Sequence, residues 1–231
     1  MSQNRPREDP PLPRRKNTVI LGPSGSGKTE LAAALALSLA EEGGEVWVFD
    51  MDQTKALFRL RDIAPALASR GVRVVHGEEF MDSPLVPPGV AEALADPARR
   101  VILDVGGDLN GARSLGRYRT LLGEETTQFF LPVNPFRRPG LTPQALWAEL
   151  RGILSWTGRE EAFLLCDPWR GPDGGPEAAL EGGERLTRLL EPLGLSWKGL
   201  MLPEELGDRV VFPGKRVIYI RPRISGLLEL G

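Results

Sequence analysis

Residues 22–29 of this chain read Gly22-Pro23-Ser24-Gly25-Ser26-Gly27-Lys28-Thr29 and fit the pattern G-x-x-x-x-G-K-[ST] without a mismatch. Glycines at such spacing let successive backbone N–H groups turn inward around phosphate oxygens. A helix that starts at the loop turns the positive end of its dipole toward the anion. Gly25 and Gly27 supply the backbone freedom, and Pro23 stiffens the start of the turn. In this arrangement Lys28 reaches the β- and γ-phosphates and the Thr29 hydroxyl ligates Mg²⁺. The flanks agree. Thr18–Leu21 is a compact apolar strand, and Leu31–Ala40 is nearly all Ala and Leu, too long for a strand and suited to a buried helix. The loop therefore predicts a bound nucleoside triphosphate, ATP ahead of GTP, together with Mg²⁺.

The rest of the chain alternates short apolar runs with helical stretches. Further strands are expected at 45–50, 72–76, 101–104, 127–131 and 162–166, with two more near the C-terminus at 196–202 and 216–220. Helices are expected over 55–69, interrupted by Pro65, over 143–154, and over 177–190, where Gly182 and Gly183 weaken the pattern. Strands that are apolar on both faces indicate a mainly parallel sheet covered on each side. The expected fold is thus one three-layer α/β/α P-loop domain over residues 17–231. Residues 1–16, rich in Pro and charge, read as a disordered arm.

Composition removes several alternatives. With 41% hydrophobic residues the chain can fill a core, and a net charge of -2 shows no bias toward nucleic acid or anionic membrane. One cysteine and one histidine exclude an intrachain disulfide framework or a Cys/His zinc cluster. No apolar run approaches the roughly 18 residues that span a bilayer, and the N-terminus lacks a signal-peptide core, so a cytoplasmic location is expected.

A triphosphate site needs a carboxylate for the metal and a group to position the attacking water. The strand at 101–104 runs into Asp104-Val-Gly-Gly107, a D-x-x-G pattern in which Asp104 serves Mg²⁺ and the Gly107 amide senses the γ-phosphate. The strand at 45–50 ends in Asp50-Met-Asp52, two carboxylates that an extended chain points to the same side.

Together these motifs resemble the SIMIBI class of P-loop NTPases, in its ParA/MinD/CobQ-like branch. The segments FDMDQTKALFRLRD and VILDVGGDLNGARSLGRY are more similar still to a group of bacterial MinD-like nucleotide-binding proteins. The likeness spans about residues 17–205. It implies a parallel sheet of about seven strands, Asp52 as the water-activating residue, Asp50 and Asp104 in the metal shell, and a nucleotide-dependent homodimer. Two positions depart from the pattern. Pro23 stands where ParA and MinD loops carry a second lysine that crosses to the partner's nucleotide. Asp167 follows the strand at 162–166 where an asparagine often reads the purine; it is a candidate acceptor for a base amino group.

Other residues are read as follows. Arg59 and Arg61 are either phosphate-binding switch residues or an exposed helical charge pattern with Asp62. Asp108, Asn110, Arg113 and Arg117 form a candidate second switch. Asn134–Arg138 reads as an ordinary loop with solvated arginines in preference to a partner surface. Arg209, Lys215, Arg216, Arg221 and Arg223 make a basic region without the aromatic interleaving that nucleic acid favours. His76 is expected to be a packed or edge residue, Cys166 to be core, and the scattered tryptophans to pack. The preferred function is a slow Mg-ATPase that switches contact with a protein partner. A P-loop kinase acting on a small molecule and a non-hydrolysing binding module are the alternatives.

Overall fold

The computed structural model describes residues 15–52, 59–77, 86–107, 109–137, 140–158, 162–171 and 174–220. Strands β1 (Asn17–Ile20), β2 (Glu45–Met51), β3 (Val72–His76), β4 (Arg99–Val105), β5 (Thr127–Val133), β6 (Phe163–Cys166), β7 (Gly199–Pro203) and β8 (Arg216–Ile220) form one sheet in the order β3-β2-β4-β1-β5-β6-β7-β8. Every pairing is parallel, as apolar runs joined by crossover helices require. Helices α1 (Lys28–Glu41), α2 (Ala64–Ala68), α3 (Val90–Ala95), α4 (Leu109–Ser114), α5 (Pro143–Thr157) and α6 (Pro176–Leu190) cover it.

Alternation along each strand divides the core in two. Ile20, Val46, Val48, Ile102 and Phe130 pack with Leu31, Leu35 and Leu39 of α1 and Leu67 of α2. Val19, Leu21, Phe49, Leu103 and Leu131 face the opposite way, onto Val90 and Leu94 of α3, Ala112 of α4, Leu146 and Leu150 of α5, and Leu186 of α6. This is the expected three-layer arrangement, with eight strands where about seven were implied. Helix α1 lies over the middle of the sheet and buries most of its surface, which explains an Ala/Leu run with no polar stripe. It ends where Gly43 takes a left-handed φ of 86° and its N–H bonds the Ala40 carbonyl. Helix α5 starts at Thr142, whose Oγ1 accepts from the Ala145 N–H at 3.2 Å, with Pro143 in its first turn.

Four expectations are refined. Within the helix expected over 55–69, residues 55–58 lie outside the described set; a 3₁₀ turn, Leu60–Ile63, leads into the short α2, and Pro65 sits in its first turn instead of kinking a longer helix. β4 begins at Arg99, two residues earlier than its apolar run, and β7 begins at Gly199. The short helices α3 and α4 had no counterpart in the sequence pattern. Of the expected N-terminal arm, residues 1–14 lie outside the described set. Lys16 donates to the carbonyls of Leu94 and Asp96 at 2.6 and 2.7 Å, and Arg15 donates to those of Glu124 and Thr127. Among the described residues no helix is long and apolar enough to cross a membrane.

Candidate functional site

Parallel strands deliver their carboxyl ends to one edge of the sheet, and that edge carries the chemistry. β1 runs straight into the glycine-rich loop. Gly22, Gly25 and Gly27 have φ of 145°, 70° and 86°, backbone that side-chain-bearing residues rarely adopt. A Cβ on Gly22 would stand 2.7 Å from the Pro132 carbonyl of β5, so the loop starts flush against its neighbouring strand. Gly27 leads into α1, whose first residue, Lys28, reaches back over the loop while Thr29 turns toward β4. Lys28 is buried, and its Nζ donates to the Pro23 carbonyl at 2.9 Å across the turn. Ser26 is buried too, and among the described residues its Oγ has no hydrogen-bond partner. An orphaned hydroxyl inside a ring of backbone amides fits a phosphate-binding cradle.

β2 and β4 bring the acids. Their register sets Asp50 opposite Asp104, and both are almost fully buried. Thr29 Oγ1 donates to Asp104 Oδ2 at 2.8 Å, while Asp104 Oδ1 has no partner among the described residues. Burial, joined by the charges of Asp50 and Asp52, pushes the Asp104 carboxyl up to about 7 against the opposing pull of Lys28 and Thr29. Burial also raises Asp50, though Arg61 opposes it. Arg61 Nε bonds Asp50 Oδ2 at 3.0 Å, and its Nη2 reaches the Asp52 carbonyl at 3.2 Å. The Asp52 N–H closes the turn on Asp50 Oδ1 at 3.1 Å.

The D-x-x-G turn joins these parts. A Cβ on Gly107 would lie 2.8 Å from Lys28 Nζ and from the Ser24 backbone, and one on Gly106 would lie 3.1 Å from Asp52 Oδ1. The turn therefore sits between the phosphate loop and the second-strand aspartates, touching both. On the other flank, Asp167 at the end of β6 is buried. A Cβ on Gly27 would stand 2.7 Å from its Oδ2. Asn134, at the end of β5, holds that flank together. Its Nδ2 donates to Asp167 Oδ2 at 3.2 Å and to the Trp169 carbonyl at 2.9 Å, and its Oδ1 accepts from the Phe136 N–H at 2.9 Å.

The residues present fit a magnesium–polyphosphate pair. Asp104 offers an unpartnered buried oxygen beside a threonine hydroxyl, and a divalent ion there would offset the burial and the repulsion that raise its carboxyl. Among the described residues no group of three or more His, Cys, Asp or Glu is placed to hold a metal by itself. Such an ion would thus need phosphate oxygens as well, the usual habit of Mg²⁺.

The structure brings together Gly22–Thr29, Asp50, Asp52, Asp104 and Gly107, and it sets Asp167 against the loop from the other side. Arg61 is the ion-pair partner of Asp50, and Asp62 accepts from the Arg59 N–H at 2.9 Å. Arg113 stacks over the Trp156 ring at 5.5 Å. Asp108 lies outside the described residues, as do Arg138, Arg221 and Arg223 and the side chain of Asn110. His76 is exposed at the end of edge strand β3, and Cys166 is fully buried, its thiol pushed well up by that burial. Sequence reasoning placed Asn134 in an ordinary loop and gave it no role of its own. The only signal for it was an amide residue at the carboxyl end of the strand beside β1.

This geometry defines a P-loop nucleotide-binding domain of the SIMIBI class. The family model for the CobQ/CobB/MinD/ParA nucleotide-binding domain matches residues 18–202, and the chain belongs to that family. No curated protein matches it. Among solved structures, cell division protein FtsY from Thermotoga maritima is similar, at 19% identity and a TM-score of 0.56, covering 90% of this chain and 67% of that one. The signal recognition particle receptor FtsY from Elizabethkingia anophelis, in complex with GDP, is 19% identical, with a TM-score of 0.45 over 72% of this chain; the chain spans about half, 51%, of that receptor's length. The signal recognition particle 54 kDa protein from Aeropyrum pernix K1, also with GDP, is 18% identical with a TM-score of 0.39, over 92% of this chain and 39% of that one.

Proposed function

We propose that this domain is a slow, Mg²⁺-dependent nucleoside triphosphatase, with ATP as its first substrate and GTP as the competing one. Its nucleotide state would alter contact with a protein partner in the cytoplasm. The observation that carries this reading is the contact of Gly107 with both Lys28 and Ser24. It makes the D-x-x-G turn part of the phosphate site, where gain or loss of a γ-phosphate is felt directly.

Each side chain then has a task. Loop amides and Lys28 hold the phosphates, and Thr29 with Asp104 holds Mg²⁺, which supplies charge neutralisation at the transferring group. Asp52, against Gly106, orients water for attack, and Asp50 supports it through the turn that the Asp52 N–H closes. The Arg61 pair with Asp50 ties the segment after β2 to the same centre, so that both segments flanking the γ-phosphate can move together. Asp167, which lies against Gly27, is assigned to a base amino group. A homodimer would work without the second loop lysine that crosses to the partner, because Pro23 takes that position.

Calorimetry with ATP and GTP in the presence of Mg²⁺, paired with phosphate-release assays, tests the reading. Lys28→Ala should abolish binding, whereas Asp52→Ala should bind and fail to turn over. Normal turnover by Asp52→Ala would remove that residue from the mechanism. Nucleotide consumption only when a small-molecule acceptor is added would instead identify a kinase.

A further inference from the structure

The phosphate loop is touched from outside by a residue that the motifs do not include. Beyond β5 the chain turns at 134–137, and the Arg137 side chain comes to rest on Gly25. A Cβ built on that glycine would meet Arg137 Cδ at 3.5 Å and both Cγ and Nε at 3.6 Å. The aliphatic stem and Nε thus lie beside the tip of the loop at Gly25, whose φ is 70°.

Arg137 is put there by construction. Asn134 is 5% exposed, and its amide is used at both ends, on Trp169 and Asp167 through Nδ2 and on the Phe136 N–H through Oδ1. The Arg137 N–H then closes the turn on the Asn134 carbonyl at 3.4 Å. Phe136 is held in turn by Arg170 and Arg185, whose guanidinium carbons lie 4.7 and 5.8 Å from the centre of its ring. The chain is therefore fixed immediately before the arginine, while its guanidinium has no hydrogen-bond or ion-pair partner among the described residues.

Charge gives that arrangement a use. Lys28 is the only cation in the loop, and the β2–β4 flank of the site holds three carboxylates, Asp50, Asp52 and Asp104. Arg61 is engaged with Asp50 on that flank, so within the loop itself a bound polyphosphate meets one ammonium group. A planar guanidinium on the opposite flank is suited to take two phosphate oxygens at once and, being weakly hydrated, gives up little water in doing so.

We propose that Arg137 is a phosphate-binding residue of this site, supplied within the same chain from the β5–α5 loop. The inference rests on the nucleotide reading above and deepens it by naming the second cation on the polyphosphate.

The test measures the affinity of the full chain for ATP and for GTP, each with Mg²⁺, by calorimetry. Arg137→Ala should weaken binding of the preferred nucleotide about tenfold, and Arg137→Lys should lie between it and the unaltered protein. Arg151→Ala, an exposed arginine on α5 that stacks over Trp147, should bind as the unaltered protein does. Both substituted positions are exposed, so circular dichroism and melting temperature should be unchanged in all three variants. If the unaltered chain binds nucleotide and Arg137→Ala binds it within about twofold, Arg137 is not a contact and this inference alone fails. An equal loss in Arg151→Ala would likewise overturn it, as a general charge effect. Absence of binding by the unaltered chain would remove the nucleotide reading itself.

Discussion

Thr29 Oγ1 donates a hydrogen bond of 2.8 Å to Asp104 Oδ2, tying the first turn of α1 to the last turn of β4 across 75 residues of sequence. The second oxygen of the same carboxylate is buried with no partner among the described residues. One group is thus half satisfied, in a position where ionisation is opposed by burial and by Asp50.

That arrangement costs stability at neutral pH. The folded Asp104 carboxyl sits at about 7, above its ordinary 3.8, so the folded protein keeps a proton that the unfolded chain loses. The contribution favourable to folding is complete below 3.8 and is lost as pH rises through about 7. Asp104→Asn keeps an acceptor for Thr29 and removes the buried charge. It should raise stability by about 2 kcal/mol at pH 8 and leave it unchanged near pH 4. Denaturant unfolding at the two pH values checks this; equal gains at both would show that the charge is not the cause. The same variant should lose the Mg²⁺ dependence of nucleotide binding.

Proton release should accompany metal binding. Below pH 7 Asp104 must ionise before it can serve Mg²⁺, so the apparent affinity for the Mg–nucleotide should fall by up to about tenfold per pH unit. Calorimetry at pH 6 in two buffers of different ionisation enthalpy should give different heats. Equal heats would mean that no carboxyl titrates on binding.

Gly107 is expected to tolerate no side chain. Its backbone is not of the left-handed kind, so the constraint is space alone: a Cβ would sit 2.8 Å from Lys28 Nζ and from Ser24 Cα and N. Gly107→Ala should weaken nucleotide binding at least about tenfold, because the loop backbone has to move, and should lower stability by about 1–3 kcal/mol. Retention of full affinity would show that the D-x-x-G turn is not coupled to the loop.

Gly182 sets helix propensity against packing. Replacing a helical glycine with alanine ordinarily gains about 1 kcal/mol. Here the added Cβ would lie 2.7 Å from Pro168 Cβ and 3.1 Å from the Phe136 ring, and such crowding costs about 1–3 kcal/mol. Gly182→Ala should therefore be neutral to destabilising by about 2 kcal/mol, measured by thermal melting. A clear gain in stability would mean that Pro168 and Phe136 yield easily.

The last case shows where sequence reading stops. Gly182 and Gly183 looked like weak points in a helix. They are buried contact surfaces, since Phe212 packs on Gly183 and Pro168 on Gly182. The sheet was legible because strands buried on both faces advertise themselves as apolar runs, and the phosphate loop because its backbone demands glycine at fixed places. The start of β4 was hidden by Arg99, a charged residue made compatible with a strand by Glu45, Asp96 and the face of Trp47. Glu45 and Trp47 lie more than fifty positions from Arg99, and contacts at that separation leave no local pattern. Arg61 and Asp50 are eleven positions apart, and nothing in either segment announces the bond between them. Six-residue helices such as α3 and α4 are too short to establish a period.

The strand order has a consequence for how such a domain can change. β1 stands between two groups of strands: β4 and β2 carry the carboxylates, and β5 and β6 carry Asn134, Arg137 and Asp167. On the proposed assignment, substitutions that tune the pace of consumption and substitutions that tune which compound is admitted fall on opposite banks of a shared spine. Descendants of one ancestor could then alter their choice of fuel while keeping the same clock.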